Sequence, residues 1–470
     1  MSTQAIHRET LLTSLPQPWP HSLLPAIQQQ IAASSRSIIV LDDDPTGTQT
    51  VYDLPVLTEW TVEALQAELA LATPTFYILT NSRSLPLPAA QALNAEIGRN
   101  LLAASRATGR DFAVVSRSDS TLRGHYPGET DALMAALGQQ VDATLLIPFF
   151  LEGGRFTIHD IHYVAEGDQL VPAAETPFAR DAAFGYRHSD LKAWVEEKTE
   201  GRVVAADVVS ITLDDLRLGG PTAVAQKLLQ LPADAVCVVN CAGTRDMEVF
   251  VSGLLMAEAE GRHFLYRTAA TFVQVRAGLA PRSPLTAVEL ALPTAGGGLI
   301  VVGSYVPKST VQLNTLLAQP DLTQVEINVD ALLDDQRQPA AIAQAIQAAT
   351  SALVAGQDVV LYTSRRLVTG DDAVSSLAIG QRVSASLVTI VRGLGTRPRY
   401  LIAKGGITSS DLATKALGVK RARVRGQLLP GIPLWQVGEE SRYPGLIYVV
   451  FPGNVGGDDA LVQAREKLRK

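Results

Sequence analysis

Short, almost wholly apolar runs recur along the chain, and each ends in small polar or acidic residues. SIIVLDDDPTGTQT (37–50), TFYILTNSRS (75–84), DFAVVSRSDST (111–121) and ATLLIPFF (143–150) come first, and AVCVVNCAGTRD (235–246) follows after a gap. Apolar runs without alternation suit strands covered on both faces. Alanine- and leucine-rich stretches such as 62–72 and 88–105 separate several of them. Strands alternating with helices predict right-handed crossovers and a parallel sheet. The segment 151–230 is less regular and suits an antiparallel subregion.

The pattern then restarts. A stretch rich in proline and glycine at both ends (278–298) reads as a junction, and beyond it similar runs occupy 298–310, 358–366, 399–413 and 446–459. The expectation is an α/β chain of two Rossmann-like domains with mainly parallel sheets flanked by helices. They would span residues 1–285 and 286–470, with an active site in the interdomain cleft. In open parallel sheets ligands bind beyond the carboxyl ends of the strands, so the residues there are the ones to read.

Composition narrows the function classes. The 470 residues are 47% hydrophobic and 19% charged, which excludes a mainly disordered chain. Forty basic against 47 acidic residues give a net charge of −7, which argues against a nucleic-acid partner. Cys237 and Cys241 are too few for a disulfide scaffold and read as small apolar residues of a buried strand. No basic start precedes an apolar stretch, and no apolar run approaches the roughly 18 residues that cross a bilayer. A cytoplasmic protein without a membrane partner is expected, and a homodimer is the assembly that base rates favour.

The first strand end carries Asp42, Asp43, Asp44, Pro45, Thr46 and Gly47. Three adjacent carboxylates repel one another and need a cation, hydrogen-bond donors or open water. They could hold Mg²⁺, or one could act as a base on a substrate hydroxyl; the alternative is an acidic turn that caps the next helix. Asp42-x-Asp44-x-Thr46 also resembles the loop of haloacid-dehalogenase-like phosphatases. Asp42 would then be the nucleophile, and Asp371–Asp372 a metal-binding pair.

The next strand ends point elsewhere. Ser82, Arg83 and Ser84 close one, and Arg117, Asp119, Ser120, Thr121 and Arg123 close another, while Arg155 follows Gly153–Gly154. Guanidinium groups beside hydroxyls match a small polyhydroxy carboxylate, because arginine forks the carboxylate and Ser, Thr and Asp take the hydroxyls. Any one of these arginines could equally form a structural ion pair. His159 and His162 could pair on a metal only if the segment were helical, so a structural or substrate-contacting role is favoured. In the C-terminal half, Gly405, Gly406, Ile407 and Thr408 lie between a strand and a helix. Ser304 with Lys308, and Gly453 within Pro452–Gly457, offer two further turns. Such turns let backbone N–H groups approach a phosphate, though each alone could be a plain helix cap. Neither a Walker A motif nor GxGxxG is present.

In order and spacing these motifs resemble the four-carbon acid sugar kinase family, formerly a domain of unknown function. The markers are the Asp43-Asp44-x-Thr46-Gly47 turn, Ser82–Ser84, Asp119–Gly124, Gly154–Arg155, Gly405–Thr408 and Pro430–Pro433, spread over most of the chain. The resemblance implies ATP-dependent phosphorylation of a hydroxyl on a four-carbon sugar acid such as threonate, erythronate or 3-oxo-tetronate. It implies that Asp43, Asp44, Arg83, Asp119 and Arg155 face the acid, and that Gly405 to Thr408 and Gly453 face ATP. Mg²⁺ would accompany the nucleotide. The chain departs from the family pattern at Pro45, at Gly303–Val306, and at Phe451–Gly456, where a lysine is missing; Lys308 would supply that charge. A non-catalytic sugar-acid-binding protein stands as a further reading.

Overall fold

The computed structural model describes residues 4–138, 141–365, 368 and 373–469. They form two compact units, Met1–Gly47 with Glu59–Pro281, and Thr48–Thr58 with Arg282–Lys470. Asp371 and Asp372 lie outside the described residues.

In the first unit the apolar runs become a parallel sheet. Its strand order among the described residues is Val209–Ile211, Ala235–Val239, Ala143–Ile147, Phe264–Thr268, Phe112–Arg117, Ser37–Asp42 and Thr75–Leu79. Ser37–Asp42 and Thr75–Leu79 are buried along their whole length, as strands covered on both faces must be. The helix Leu87–Thr108 buries Ile97, Leu101 and Ala104 at helical spacing, each large side chain contributing roughly 1.5–3 kcal/mol. It stops at Gly109, whose φ of 67° suits the left-handed C-cap that returns its N–H to Ser105. A second, antiparallel sheet is built from Ile6–His7, Gln169–Pro172, Ile161–Glu166 and Arg155–Ile158. His159 and Asp160 form its tight turn, both with positive φ, so the His159–His162 segment is a hairpin, without the helix a metal pair would need. Cys237 and Cys241 are free and buried.

Register aligns the strand ends of this unit. Asp42 pairs with both Leu79 and Arg117, Arg117 with Thr268, and Thr268 with Ile147. The polar residues that follow are therefore delivered to one edge.

In the second unit, Ile447–Phe451, Leu401–Lys404, Leu299–Val302, Asp358–Thr363 and Leu322–Ile327 run parallel in that order. Pro55–Leu57, Arg421–Leu429 and Ile432–Val437 extend the sheet antiparallel at one side. Ile300, Val302, Val360, Ile402, Val449 and Phe451 build the core with Leu313, Leu316, Leu461 and Leu468 from flanking helices. The helix Ala460–Arg469 is fastened by Arg465, which donates to Asp358 at 2.7 Å in the interior. Here too the strand ends align: Val302 pairs with Lys404 and Tyr362, and Lys404 with Phe451. No helix among the described residues is long and apolar enough to cross a membrane.

Candidate functional site

In the first unit, three strand ends meet at one guanidinium. Arg83 donates through Nη2 to Asp43 Oδ1 at 2.7 Å and through Nε to Oδ2 at 3.3 Å. The same group lies 3.5 Å from Asp44 and 3.8 Å from Asp119. Asp43 also accepts from Ser118 Oγ at 2.5 Å. Asp44 accepts from the backbone N–H of Thr46 at 2.8 Å and from its hydroxyl at 2.5 Å. Burial alone would raise the proton affinity of Asp44, but Arg83 and Thr46 outweigh it and hold the carboxyl below its ordinary range. Asp119 behaves in the same way: against burial, Arg83 and Arg123 hold it well below the usual carboxylate range, and Thr121 adds its hydroxyl.

Asp42 is different. It is 2% exposed, and a Cβ placed on Gly47 would stand 2.0 Å from both carboxylate oxygens, so Gly47 covers it. Burial outweighs the attraction of Arg117 at 3.4 Å and pushes Asp42 up to about 8. A nucleophile needs an open line of approach, so the phosphatase reading of Asp42 is corrected: this is a buried structural acid covered by Gly47 and paired with Arg117.

The hydroxyls and arginines divide in a way the sequence does not reveal. Ser82 is buried against Thr80 at 3.0 Å, Ser84 turns back to the carbonyl of Asn81, and Thr121 is spent on Asp119. Arg117 is buried with Asp42. Arg123 holds Asp119 at 2.8 Å, approaches Asp181 at 3.6 Å and stacks over Phe178 with 5.1 Å to the ring centre. Arg155 lies over the same ring at 5.7 Å and donates to the carbonyl of Gly153. Among the described residues it has no acidic partner at ion-pair distance, and its buried Nε has no hydrogen-bond partner.

Several supporting residues escape a reading of motifs. His162, fully buried, bridges Thr157 at 3.0 Å and the carbonyl of Ser120 at 2.8 Å, and burial drops it to about 4. Tyr186 donates to the carbonyl of Thr121 at 2.8 Å. Arg267, beneath Gly124, donates to Ser116 at 3.0 Å and sits 3.4 Å from Glu129. The only sequence signal for Arg267 is its place near the end of an apolar run.

In the second unit the three glycine turns converge. A Cβ on Gly303 would meet Thr408 Oγ1 at 2.4 Å, one on Gly405 would meet Ser304 Cβ at 2.9 Å, and Gly453 lies near Ser304 and Val306. Gly405 has a φ of 113°, which disfavours any side chain. Ser309 Oγ is 3.1 Å from both Ser304 Oγ and the Gly453 carbonyl. Arg365, from the neighbouring strand end, donates to the Ser304 carbonyl at 2.8 Å and braces the same turn. Gly406 starts the helix Gly406–Asp411, and Ile407 on it is 58% exposed. Lys308 points its ammonium to Asp458 at 3.7 Å, while the buried Lys404 donates to the carbonyls of Pro452 and Gly453. The cation at that turn is thus Lys404, on the adjoining strand.

Comparison with known proteins agrees with this division. Residues 38–276 match the family model of a sugar-binding N-terminal domain, and residues 299–461 that of a nucleotide-binding C-terminal domain. The chain is 27% identical over 374 residues to a 3-oxo-tetronate kinase of Cupriavidus necator, covering 76% of this chain and 78% of the relative. It is 26% identical over 383 residues to a D-threonate kinase of the same organism, covering 79% and 83%. A solved Haemophilus influenzae structure of the family DUF1537 shares the fold, with a TM-score of 0.62 and 16% identity over 92% of this chain and all of that one.

Proposed function

The chain belongs to the four-carbon acid sugar kinase family, and we propose on that basis that it transfers the γ-phosphoryl group of ATP to a hydroxyl of a small sugar acid such as threonate, erythronate or 3-oxo-tetronate. The observation that carries the acid is Arg155. A guanidinium with no carboxylate at ion-pair distance among the described residues, beside Arg123 and against an aromatic face, is a receptor for an anionic head group. Arg83 and Arg117 are already engaged by Asp43 and Asp42, so they shape the pocket and leave the carboxylate to Arg155.

Among the acids, Asp44 and Asp119 keep 26% and 14% of their side chains exposed, against 4% for Asp43. Asp44 and Asp119 take the acid's hydroxyls, and Asp43 orients Arg83. Phosphoryl transfer has a loose transition state, so a carboxylate with low proton affinity suffices: it aligns the attacking hydroxyl, and positioning supplies most of the rate. The turns at Ser304, Gly405–Thr408 and Gly453 offer backbone N–H groups to the nucleotide phosphates.

The carboxylates do not fit a resident magnesium ion. Asp43, Asp44 and Asp119 share the charge of Arg83, and the described residues hold no group of three or more His, Cys, Asp or Glu that could bind a metal. Magnesium enters in this reading with the phosphates of its substrate, ATP. A cytoplasmic homodimer is the expected form.

A coupled ADP-release assay across four-carbon acids tests the proposal. Release of ADP that depends on one of these acids is expected. If no acid elicits ADP and ATP fails to shift the melting temperature, the kinase reading fails. Ligand-induced stabilisation without turnover would mark a binding protein.

A further inference from the structure

Lys404 closes the strand Leu401–Lys404 and stands in register beside Phe451. None of the residue is exposed to solvent. Its ammonium donates to the carbonyl of Pro452 at 2.5 Å and of Gly453 at 3.0 Å, and lies 4.2 Å from the centre of the Phe451 ring. Among the described residues no carboxylate is at ion-pair distance from it. The charged group that faces it is Lys308, of like sign, itself 3.7 Å from Asp458. A buried ammonium with only carbonyl and aromatic partners is costly to keep. Burial, and after it Lys308, accordingly lower its proton affinity to about 7.

The geometry gives that cost a use. In a trans peptide the C=O and the N–H of the same unit point in opposite directions. Drawing the carbonyls of Pro452 and Gly453 toward Lys404 therefore turns the N–H groups of Gly453 and Asn454 away from it. Asn454 is exposed and Gly453 half-exposed, so this side of the turn is open to solvent. Ser309 holds the same Gly453 carbonyl at 3.1 Å and links the turn to Ser304.

Resting on the nucleotide reading of the glycine turns, we propose that Lys404 is the positioning residue of the phosphate turn: its buried ammonium fixes the Pro452 and Gly453 carbonyls inward and so presents the Gly453 and Asn454 N–H groups to a nucleotide phosphate. A bound phosphate adds negative charge just beyond the ammonium. Binding then favours the charged amine, which takes a proton from solvent.

Calorimetric titration of the full chain with the magnesium complex of a non-hydrolysable ATP analogue, in two buffers of different ionisation enthalpy, reads this directly. Near pH 7.5 the unmodified protein should take up a measurable fraction of a proton per nucleotide bound, as linkage from an amine near neutrality leads one to expect. Lys404→Met should lose that uptake and bind the nucleotide at least tenfold more weakly, while the KM for the acid stays unchanged. Equal uptake and equal affinity in Lys404→Met overturn the proposal. If the variant gives no cooperative melt, the pH series of the unmodified protein decides. Uptake should fall toward zero near pH 6, where the amine is already charged, and an uptake constant between pH 6 and 8 overturns it. No nucleotide binding by the unmodified protein in any buffer would remove the nucleotide reading itself, an outcome distinct from binding without uptake.

Discussion

Arg83 grips both oxygens of Asp43, at 2.7 and 3.3 Å, and from that position also faces Asp44 and Asp119. One guanidinium thus faces three carboxyl groups in a largely buried place. Replacing it leaves their charges uncompensated, which for a buried pair costs about 3–5 kcal/mol. Arg83→Ala should lower the unfolding free energy by about 3 kcal/mol and weaken acid binding about a hundredfold, with nucleotide affinity unchanged. Chemical denaturation and paired titrations check both. Unchanged acid affinity would refute this role.

Arg155 has the opposite situation, a charge with no carboxylate at ion-pair distance among the described residues. Arg155→Gln removes a charge-assisted contact of about 1.5–3 kcal/mol, so KM for the acid should rise roughly ten- to a hundredfold. KM for ATP should not move, and stability should change by less than about 1 kcal/mol. Steady-state kinetics with each substrate varied in turn distinguishes this from a general loss of folding.

Gly405→Val is the counterpart in the second unit. At a φ of 113°, with Ser304 Cβ 2.9 Å from where a Cβ would stand, the turn must distort. Nucleotide affinity should fall by more than about tenfold while acid binding persists. Equal losses of both ligands in Arg83→Ala and Gly405→Val would contradict the assignment of one ligand to each unit.

His162 makes stability depend on pH. Burial drops it to about 4, below the ordinary 6.5, so the folded chain binds fewer protons than the unfolded one. The contribution is complete above about pH 6.5 and is lost as the pH falls toward 4, up to about 3 kcal/mol. The loss of stability between pH 7 and pH 4.5 should be smaller in His162→Gln than in the unmodified chain by most of that amount. Parallel slopes would show that His162 does not titrate there.

The strands were legible because burial on both faces demands uninterrupted apolar runs, and Ser37–Asp42 and Leu401–Lys404 are such runs. The antiparallel part of the second unit's sheet was less so. Arg421–Leu429 alternates exposed and buried positions, a period-two signal carried by arginines that does not look apolar. Strand-end logic singled out Arg83, Asp119 and Arg155, and the structure brings Arg83 within 3.8 Å of Asp119 and sets Arg155 over Phe178. That logic could not say which arginine is spent on which acid, because Arg117 meets Asp42 and Arg83 meets Asp43 only through pairing across 75 and 40 positions. Lys404 was in view only as the residue before a glycine turn. Its importance comes from Pro452 and Gly453, 48 and 49 positions away.

The stretch Thr48–Thr58 belongs to the second unit although the chain on both sides of it belongs to the first. The polypeptide leaves the first unit directly after Gly47, supplies the strand Pro55–Leu57 to the second unit's sheet beside Arg421–Leu429, and returns. No single break in the gene can therefore release two intact halves. A fragment ending near Pro281 would part the strand Pro55–Leu57 from its partner Arg421–Leu429 and leave that partner's ladder unpaired. Near its start the chain therefore crosses between the units twice, at Gly47–Thr48 directly after the acidic turn and again at Thr58–Glu59.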